Sequence, residues 1–167
     1  VNCYASPTPV VEPGRVYVNF GSYGTACLDT KTYEKLWERT DLQCRHYRGP
    51  GSSPILYENL LILTFDGVDV QYVIALDKAT GETVWKTART TEWTDLDENG
   101  QPLREGDFRK SFTTPLVISV GERVLLISPA TFAAFAYDVK TGEEVWKTKY
   151  TAYSPALRPV YGDGLLY

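Results

Sequence analysis

The eleven residues "ALDKATGETVW" at Ala75–Trp85 decide the fold of this chain, because the sequence repeats them. Similar stretches are "CLDTKTYEKLW" at Cys27–Trp37 and "AYDVKTGEEVW" at Ala136–Trp146. In every copy an aspartate precedes the tryptophan by eight residues, and the pairs are Asp29 and Trp37, Asp77 and Trp85, and Asp138 and Trp146. Repeats spaced by about 40–50 residues are typical of propellers and other repeat arrays.

A second motif precedes each copy and marks where the repeating unit starts. It is a hydroxyl residue followed by proline and an apolar residue, at 8–10, 53–55 and 114–116. A further copy at 154–156 predicts the start of another unit. The distance from the proline to the tryptophan is nearly constant, so the units differ mainly in the connector that follows the tryptophan.

Four short β-strands are predicted in each unit. In the second unit we expect them at Ser53–Leu56, Asn59–Thr64, Gln71–Leu76 and Thr83–Thr87. The stretch "NLLILT" is almost wholly apolar, which is typical of a strand buried on both faces. Four antiparallel strands per repeat are the content of a propeller blade.

The sequence therefore predicts an all-β protein that forms part of a β-propeller. We expect about three four-stranded antiparallel blades, at roughly 7–39, 53–87 and 113–148, and the start of a fourth at 154–167. A long inserted connector spans 86–113. Three blades and a start do not close a ring, so the chain is expected to be a fragment of a larger propeller.

The repeated aspartate and glycine predict a tight hairpin between the third and fourth strands of each unit. The Asp77 side chain is expected to accept backbone N–H groups in an Asx turn, and Gly81 to supply a positive φ. The tryptophan that follows suits the gap between adjacent sheets, where its ring buries about 150–250 Å². In the first unit Tyr33 replaces the glycine, so that turn is expected to differ.

Composition restricts the class of protein. The chain has 167 residues, 43% of them hydrophobic, which suffices for a core in one or two domains. Its net charge of -4 argues against a nucleic-acid-binding protein. The longest apolar run is Phe132–Tyr137, far short of the about 20 residues of a membrane-spanning helix. With no Met and no signal peptide at its start, the chain is expected to begin inside a longer product or after a cleaved segment.

The pattern Ala-x-Asp-x-x-x-Gly-x-x-x-Trp resembles the tryptophan-docking repeat of pyrroloquinoline-quinone-like β-propellers. The second and third copies match it fully, whereas the first has Cys27 for alanine and Tyr33 for glycine. Together with "GSYGTACLDTKT" and "RGPGSSPIL", it resembles secreted propeller proteins of planctomycete-type bacteria. The wider family includes quinoprotein alcohol dehydrogenases and a non-enzymatic outer-membrane assembly lipoprotein, which implies a periplasmic or extracellular location.

Alternating loops of such blades put all long connectors on one face, where binding residues usually concentrate. The connector "TDLQCRHYRGPGSS" contains the single histidine, His46, with Arg45 and Arg48. We interpret His46 and Arg48 as candidates for binding an anionic group or a quinone carboxylate. The alternative is a solvated or blade-bridging loop without a ligand.

The longer connector contains "DLDENGQPLREGD", which follows the opening of a calcium loop. Its candidate ligands are Asp95, Asp97, Asn99, the Gln101 carbonyl and Asp107. The twelfth position is Gly106 rather than glutamate, and no flanking helices are predicted. An ordinary polar loop with an Asn-Gly turn is the alternative.

Three cysteines and two further aspartates are open to more than one interpretation. Cys3 and Cys44 precede equivalent strands and are candidates for a disulfide, whereas Cys27 is expected in the core. Asp66 and Asp69 are interpreted mainly as turn caps.

Two functions from different classes follow. The first is a non-catalytic binding or scaffold module that presents its loop-rich face to a protein, peptide or glycan, with the remaining blades of the same propeller as further partners. The alternative is part of a pyrroloquinoline-quinone-dependent dehydrogenase. The resemblance implies that such an enzyme needs a metal-bound quinone and a carboxylate base. Its metal set and adjacent-cysteine disulfide have no match in this sequence.

Overall fold

The computed structural model describes residues 3–167 and contains three four-stranded sheets and a terminal hairpin. We call the sheets blades one, two and three and the hairpin the half-blade. The strands are β1 (Val10–Glu12), β2 (Arg15–Asn19), β3 (Thr25–Asp29), β4 (Lys35–Arg39), β5 (Ile55–Tyr57), β6 (Leu60–Asp66), β7 (Gln71–Asp77), β8 (Thr83–Ala88), β9 (Leu116–Val120), β10 (Arg123–Ala130), β11 (Ala133–Asp138), β12 (Glu144–Lys149), β13 (Tyr161–Gly162) and β14 (Leu165–Leu166).

Each blade is an antiparallel meander whose strands pair in chain order, β1 to β4, β5 to β8 and β9 to β12. The helical content in the described range is two short 3-10 segments, Gly21–Tyr23 and Gly106–Arg109. The predicted all-β propeller architecture is thereby confirmed. No helix within residues 3–167 has the length and apolar character needed to cross a membrane.

The repeated aspartate closes the last hairpin of each blade as expected. The Asp77 carboxylate accepts the backbone N–H groups of Ala79 and Thr80 at 2.9 and 3.0 Å. Gly81 has a φ of 77°, and the register shifts by a bulge between Ala75 and Leu76. The same bonds recur at Asp29 and Asp138, so the three hairpins share one geometry.

The tryptophans of blades one and two dock onto the hairpin of the next blade. The Trp37 indole N–H donates to the Lys78 carbonyl at 3.1 Å, and that of Trp85 donates to the Val139 carbonyl at 3.1 Å. A Cβ on Gly81 would lie 2.7 Å from the Trp37 ring. The glycine therefore supplies both the positive φ and the space for the preceding indole.

The first hairpin keeps the shared geometry despite its tyrosine, contrary to the expectation that it differs. Tyr33 adopts a φ of 60° and is 80% exposed. No indole of a preceding blade contacts it among the described residues, so only the conformational cost of the positive φ remains.

Period-two alternation in β6 places its side chains in two separate cores. Leu61, Leu63 and Phe65 pack with blade one, whereas Leu60 and Ile62 pack with blade three. All seven residues of β6 are buried, which confirms the predicted strand with two buried faces. Blade two is therefore the central layer of the described arc.

The hairpin of the half-blade lies within the predicted range 154–167. The bonds that join Val160 and Tyr167 repeat the pairing of Val10 with Tyr17, so Arg158-Pro159-Val160 takes the place of Thr8-Pro9-Val10. The predicted start at 154–156 stays a prediction, and there the Pro155 carbonyl accepts the Phe112 N–H at 2.8 Å.

The structure does not join Cys3 and Cys44, which corrects the suggested disulfide. Cys3 is exposed and near Ser6, whereas Cys44 is buried beside Ser22 and His46. Cys27 is fully buried in the core, as expected.

Candidate functional site

The loops after the second and fourth strands of each blade lie on one side, which we call the loop-rich face. It comprises 20–24, 40–54, 67–70, 89–115, 131–132 and 150–160. The loops contact one another across blades: the Val68 N–H donates to the Arg45 carbonyl at 3.1 Å, and Ser22 Oγ donates to the Cys44 carbonyl at 2.6 Å. The long connectors thus form one continuous surface on a rigid scaffold.

The starts of the innermost strands line an axial groove of about 650 Å³ on this face. The Thr8 N–H donates to Ser53 Oγ at 2.9 Å, and the Ser53 N–H donates to Thr114 Oγ1 at 3.1 Å. The Ser53 hydroxyl therefore links blade one to blade two, and the Thr114 hydroxyl links blade two to blade three. Arg158, which replaces the hydroxyl residue in the half-blade, is the charged side chain among the described residues of the groove.

A second groove of about 510 Å³, the connector groove, lies between the 89–115 connector and the outer end of blade three. Lys147 and Lys149 come from β12, and both contact the Glu92 carboxylate. The rest of its lining is mostly polar and aromatic, and consists of Thr94, Arg104, Phe132, Ala133, Tyr150 and Thr151. It combines mixed polarity with a volume typical of small-ligand sites.

Arg109 anchors the connector beneath the connector groove. Its guanidinium is 3% exposed, stacks at 4.3 Å on the Trp93 ring and lies 2.8 Å from the Asp95 carboxylate. None of its N–H groups is aligned for a hydrogen bond, so the contact with Asp95 is an ion pair. Trp93 in turn meets Phe132 edge-on at 6.0 Å. This stack ties the connector to the tip of blade three.

A buried polar cluster lies where the loops of blades one and two meet the connector. His46 Nε2 accepts the Ser22 N–H at 3.2 Å, and its Nδ1 lies 3.4 Å from Lys110 Nζ. Burial lowers the pKa of His46 to about 4 and raises the pKa of the Cys44 thiol to about 12. Burial also lowers the pKa of Lys110. At neutral pH His46 is therefore uncharged and Cys44 is a thiol rather than a nucleophilic thiolate.

His46 and Arg48, the predicted quinone-binding pair, do not face a common space in which one ligand could contact both side chains. His46 points into the buried cluster, whereas the Arg48 guanidinium binds Asp107 at 2.9 Å. Both have partners within the protein, and their role in binding a cofactor stays a prediction.

The predicted calcium ligands also have partners of their own. Asp95 pairs with Arg109 and Arg104, and Asp107 pairs with Arg48. The Asp97 carboxylate accepts the N–H groups of Asn99 and Gln101 at 2.9 and 2.7 Å, which closes an ordinary turn. Among residues 3–167 no group of three acidic, histidine or cysteine side chains is arranged to hold a metal ion. Calcium binding here stays a prediction.

Asp66 and Asp69 have different surroundings. Asp69 accepts the N–H groups of Arg45 and Val70 and caps its loop, as expected. Asp66 forms a buried pair with Arg89 at 2.6 Å, and Arg89 also bonds to Ser128 of blade three. Nothing in the sequence signalled the burial of Arg89, Arg109 and Lys110, because arginine and lysine in a polar connector are usually exposed.

Comparison with solved structures shows the same fold. BamB from Moraxella catarrhalis superposes with a TM-score of 0.61 at 17% identity, over 97% of this chain and 42% of that chain. Quinohemoprotein alcohol dehydrogenase from Comamonas testosteroni superposes with a TM-score of 0.61 at 21% identity, over 87% of this chain and 21% of that chain. The PilY1 C-terminal domain of Pseudomonas aeruginosa superposes with a TM-score of 0.54 at 16% identity, over 89% of this chain and 34% of that chain.

At these identities the likeness establishes the fold alone, and the chain spans less than half the length of these structures. No curated protein sequence matches this chain. The family model described as outer membrane protein assembly factor BamB matches residues 4–87 and 69–167, which together cover nearly the whole sequence. The chain therefore belongs to this family of pyrroloquinoline-quinone-like β-propeller repeats.

Proposed function

We propose that this chain is part of a non-catalytic propeller that binds a protein, peptide or glycan through its loop-rich face. The main support is the state of three carboxylates on or directly beside that face. Asp66, Asp95 and Asp107 are each neutralised by an arginine. A carboxylate held in this way is a poor general base, because proton transfer would leave the arginine charge uncompensated.

A test of this proposal compares hydrogen exchange of the full-length protein with and without a bound ligand found by peptide and glycan screening. We expect protection within 40–54 and 89–115 and unchanged exchange in the hairpins at 78–82 and 139–143 on the opposite face. Protection confined to those hairpins would contradict the choice of face.

The alternative is a segment of a pyrroloquinoline-quinone-dependent dehydrogenase. The axial groove favours it, because it is open on the loop-rich face and Arg158 is suited to an anionic carboxylate. The described lining does not fit the metal-bound quinone, since it contains hydroxyl, apolar and arginine side chains but no acidic ligand.

The enzyme alternative is decided by adding pyrroloquinoline quinone and calcium to the full-length protein. Absorbance and dye reduction are then followed with alcohols and sugars. The non-catalytic proposal expects no cofactor-dependent reduction, and turnover that requires both additions would replace it with the dehydrogenase.

Calcium in the 95–107 segment remains a separate proposal, and it requires Arg104, Arg109 and Arg48 to give up their carboxylates. If calcium binds, it raises the melting temperature of the wild type but not of Asp97→Ala. An unchanged wild-type melt in calcium and in chelator ends the proposal.

Further blades of the same protein are the first proposed partners. The outer faces of the arc expose Val11 and Tyr33 on blade one and Leu166 and Tyr167 on the half-blade. Apolar surface of this kind is typical of a repeat array that continues.

A periplasmic or extracellular location is proposed because the matching family is described as an outer membrane assembly factor. An alkaline phosphatase fusion to the full-length protein checks it, since that reporter is active only after export.

A further inference from the structure

The connector groove already holds a carboxylate of its own chain. Glu92 Oε1 lies 3.0 Å from Lys147 Nζ, and its other oxygen contacts Lys149. The Glu92 and Lys149 side chains are 57% and 61% exposed, so this side of the arrangement is open to solvent. Lys147 is 23% exposed, and its Nζ also donates to the Thr90 carbonyl at 2.8 Å, which holds its ammonium group in place. An exposed ion pair contributes little to stability, and a competing carboxylate can replace its acidic partner at low cost.

The charge of the groove is opposite to that of the chain. Its lining contains three cations and a single carboxylate, Glu92. Arg104 is paired with Asp95 behind the lining, whereas Lys147 and Lys149 share Glu92 between them, so the lining keeps an excess of positive charge. The chain as a whole carries a net charge of -4. A positive groove on an acidic protein favours an anionic ligand and accelerates its encounter.

The spacing of the two lysines matches an extended chain. Lys147 and Lys149 are alternate residues of β12 and reach the same side. Alternate residues of a strand are about 6.6–6.8 Å apart. An extended peptide with acidic residues at every second position repeats its carboxylates at the same interval.

Two aromatic residues form the apolar wall of the groove. Phe132 is held at a φ of 63°, a rare conformation for a bulky residue, and its ring rests against Trp93. The Tyr150 hydroxyl donates inward to the carbonyls of Ala130 and Ala133 at 2.5 and 3.0 Å. Both rings are thereby fixed beside the lysines and can cover the apolar atoms of a bound peptide.

We propose that the connector groove binds an extended acidic segment of a partner protein, whose alternating carboxylates take the place of Glu92 on Lys147 and Lys149. This inference rests on the proposed binding function and specifies the site and the chemistry of the partner. Glu92 then acts as an internal competitor that keeps the groove occupied until the segment arrives.

The experiment measures fluorescence anisotropy of labelled peptides with the full-length protein. One peptide alternates glutamate and serine over eight residues. The second has the same composition in the order Glu-Glu-Ser-Ser repeated twice, so that no two of its glutamates are two residues apart. We expect the alternating peptide to bind more tightly. Lys147→Gln with Lys149→Gln should weaken its binding by about fivefold to tenfold, and Glu92→Gln should strengthen it by about twofold to fivefold.

Lys140→Gln is the matched control, because Lys140 forms an exposed pair with Glu58 on the opposite face. It should leave peptide affinity unchanged. Circular dichroism melts of every variant exclude unfolding as the cause of a loss.

Three outcomes would overturn the inference: equal binding of the two peptides, unaltered binding by the double lysine variant, or tighter binding of a polyuronate than of the alternating peptide. These outcomes say nothing for or against dehydrogenase activity, which is tested by dye reduction. A failure of the acidic-segment proposal can therefore be told apart from a failure of the proposed non-catalytic function.

Discussion

Gly81 and Gly142 each satisfy two requirements of the docking hairpin. Both have a positive φ, and a Cβ on either would meet the indole of the preceding blade. Tyr33 satisfies only the first requirement, and it occurs where no described blade docks. The repeated glycine therefore reflects packing between blades as well as turn conformation.

Substitution of Gly142 by alanine should separate these effects. The new Cβ would lie 2.4 Å from the Trp85 ring, so we expect a loss of about 2–4 kcal/mol from strain and overpacking. Gly121→Ala is the matched control, since Gly121 has a φ of 59° and no atom within 4 Å of the added Cβ. The Gly121→Ala variant should lose only about 1 kcal/mol of unfolding free energy, measured by urea unfolding. Equal losses would show that docking does not require the glycine.

His46 should make stability depend on pH in the mildly acidic range. Its folded pKa of about 4 is below the ordinary value of 6.5, so the unfolded chain binds more protons between these values. The contribution of the neutral His46 to the free energy of unfolding is therefore fully present above about pH 6.5, and it is lost as the pH falls toward 4. Since the imidazole is partly solvated, we expect a discounted loss of about 1–2 kcal/mol.

The measurement is urea unfolding at pH 7 and pH 5 for the wild type and His46→Gln, which keeps a hydrogen-bond acceptor. The variant should lose less stability than the wild type between these two pH values. Because the chain has one histidine, an unchanged pH dependence in the variant would contradict the assignment.

At the scale of elements, the junction between blades two and three depends on a buried ion pair as well as on Trp85. Arg89 bonds to both carboxylate oxygens of Asp66 at 2.6 and 2.9 Å and to Ser128 of blade three. Both side chains are almost fully buried. Arg89 thus joins the end of β8 to the neighbouring sheet.

Removal of one partner should destabilise this junction strongly. Arg89→Leu leaves the Asp66 carboxylate buried without its cation, so we expect a loss of about 3–5 kcal/mol. Adding Asp66→Asn to that variant should recover part of the loss, which a double-mutant cycle measures. Lys140→Ala, which breaks an exposed pair, provides the control and should cause no measurable loss. A double variant no more stable than Arg89→Leu would argue against the buried charge as the cause.

At the scale of the whole molecule, stability should decrease from blade two toward the half-blade. Blade two is covered on both faces, whereas β13 and β14 are two residues long and β14 is exposed. We expect amides of Leu61–Phe65 to exchange slowest and those of the half-blade fastest, measured by hydrogen exchange in the 167-residue chain. Comparable protection at both places would contradict a gradient set by neighbouring blades.

Much of the fold was predictable from local pattern. The Asp–Gly hairpin, the two-sided burial of β6 and the docking tryptophan each depend on a few neighbouring residues and on a strand period of two. The exact start of the half-blade was less predictable, because Ser154-Pro155 and Arg158-Pro159 both fit the start motif. The pairing of Val160 with Tyr167, which favours the second of them, is a tertiary contact.

The candidate site was much less predictable, because its contacts join residues distant in sequence. The sequence by itself determined the repeat, the hairpins and the face that carries the long connectors, since all three follow from periodicity and turn chemistry. Only the tertiary structure decided that Asp95 and Asp107 pair with arginines and that Glu92 meets Lys147 and Lys149. The reason is that an ion pair depends on which charges folding brings within a few ångströms, and a connector of irregular backbone leaves that choice open.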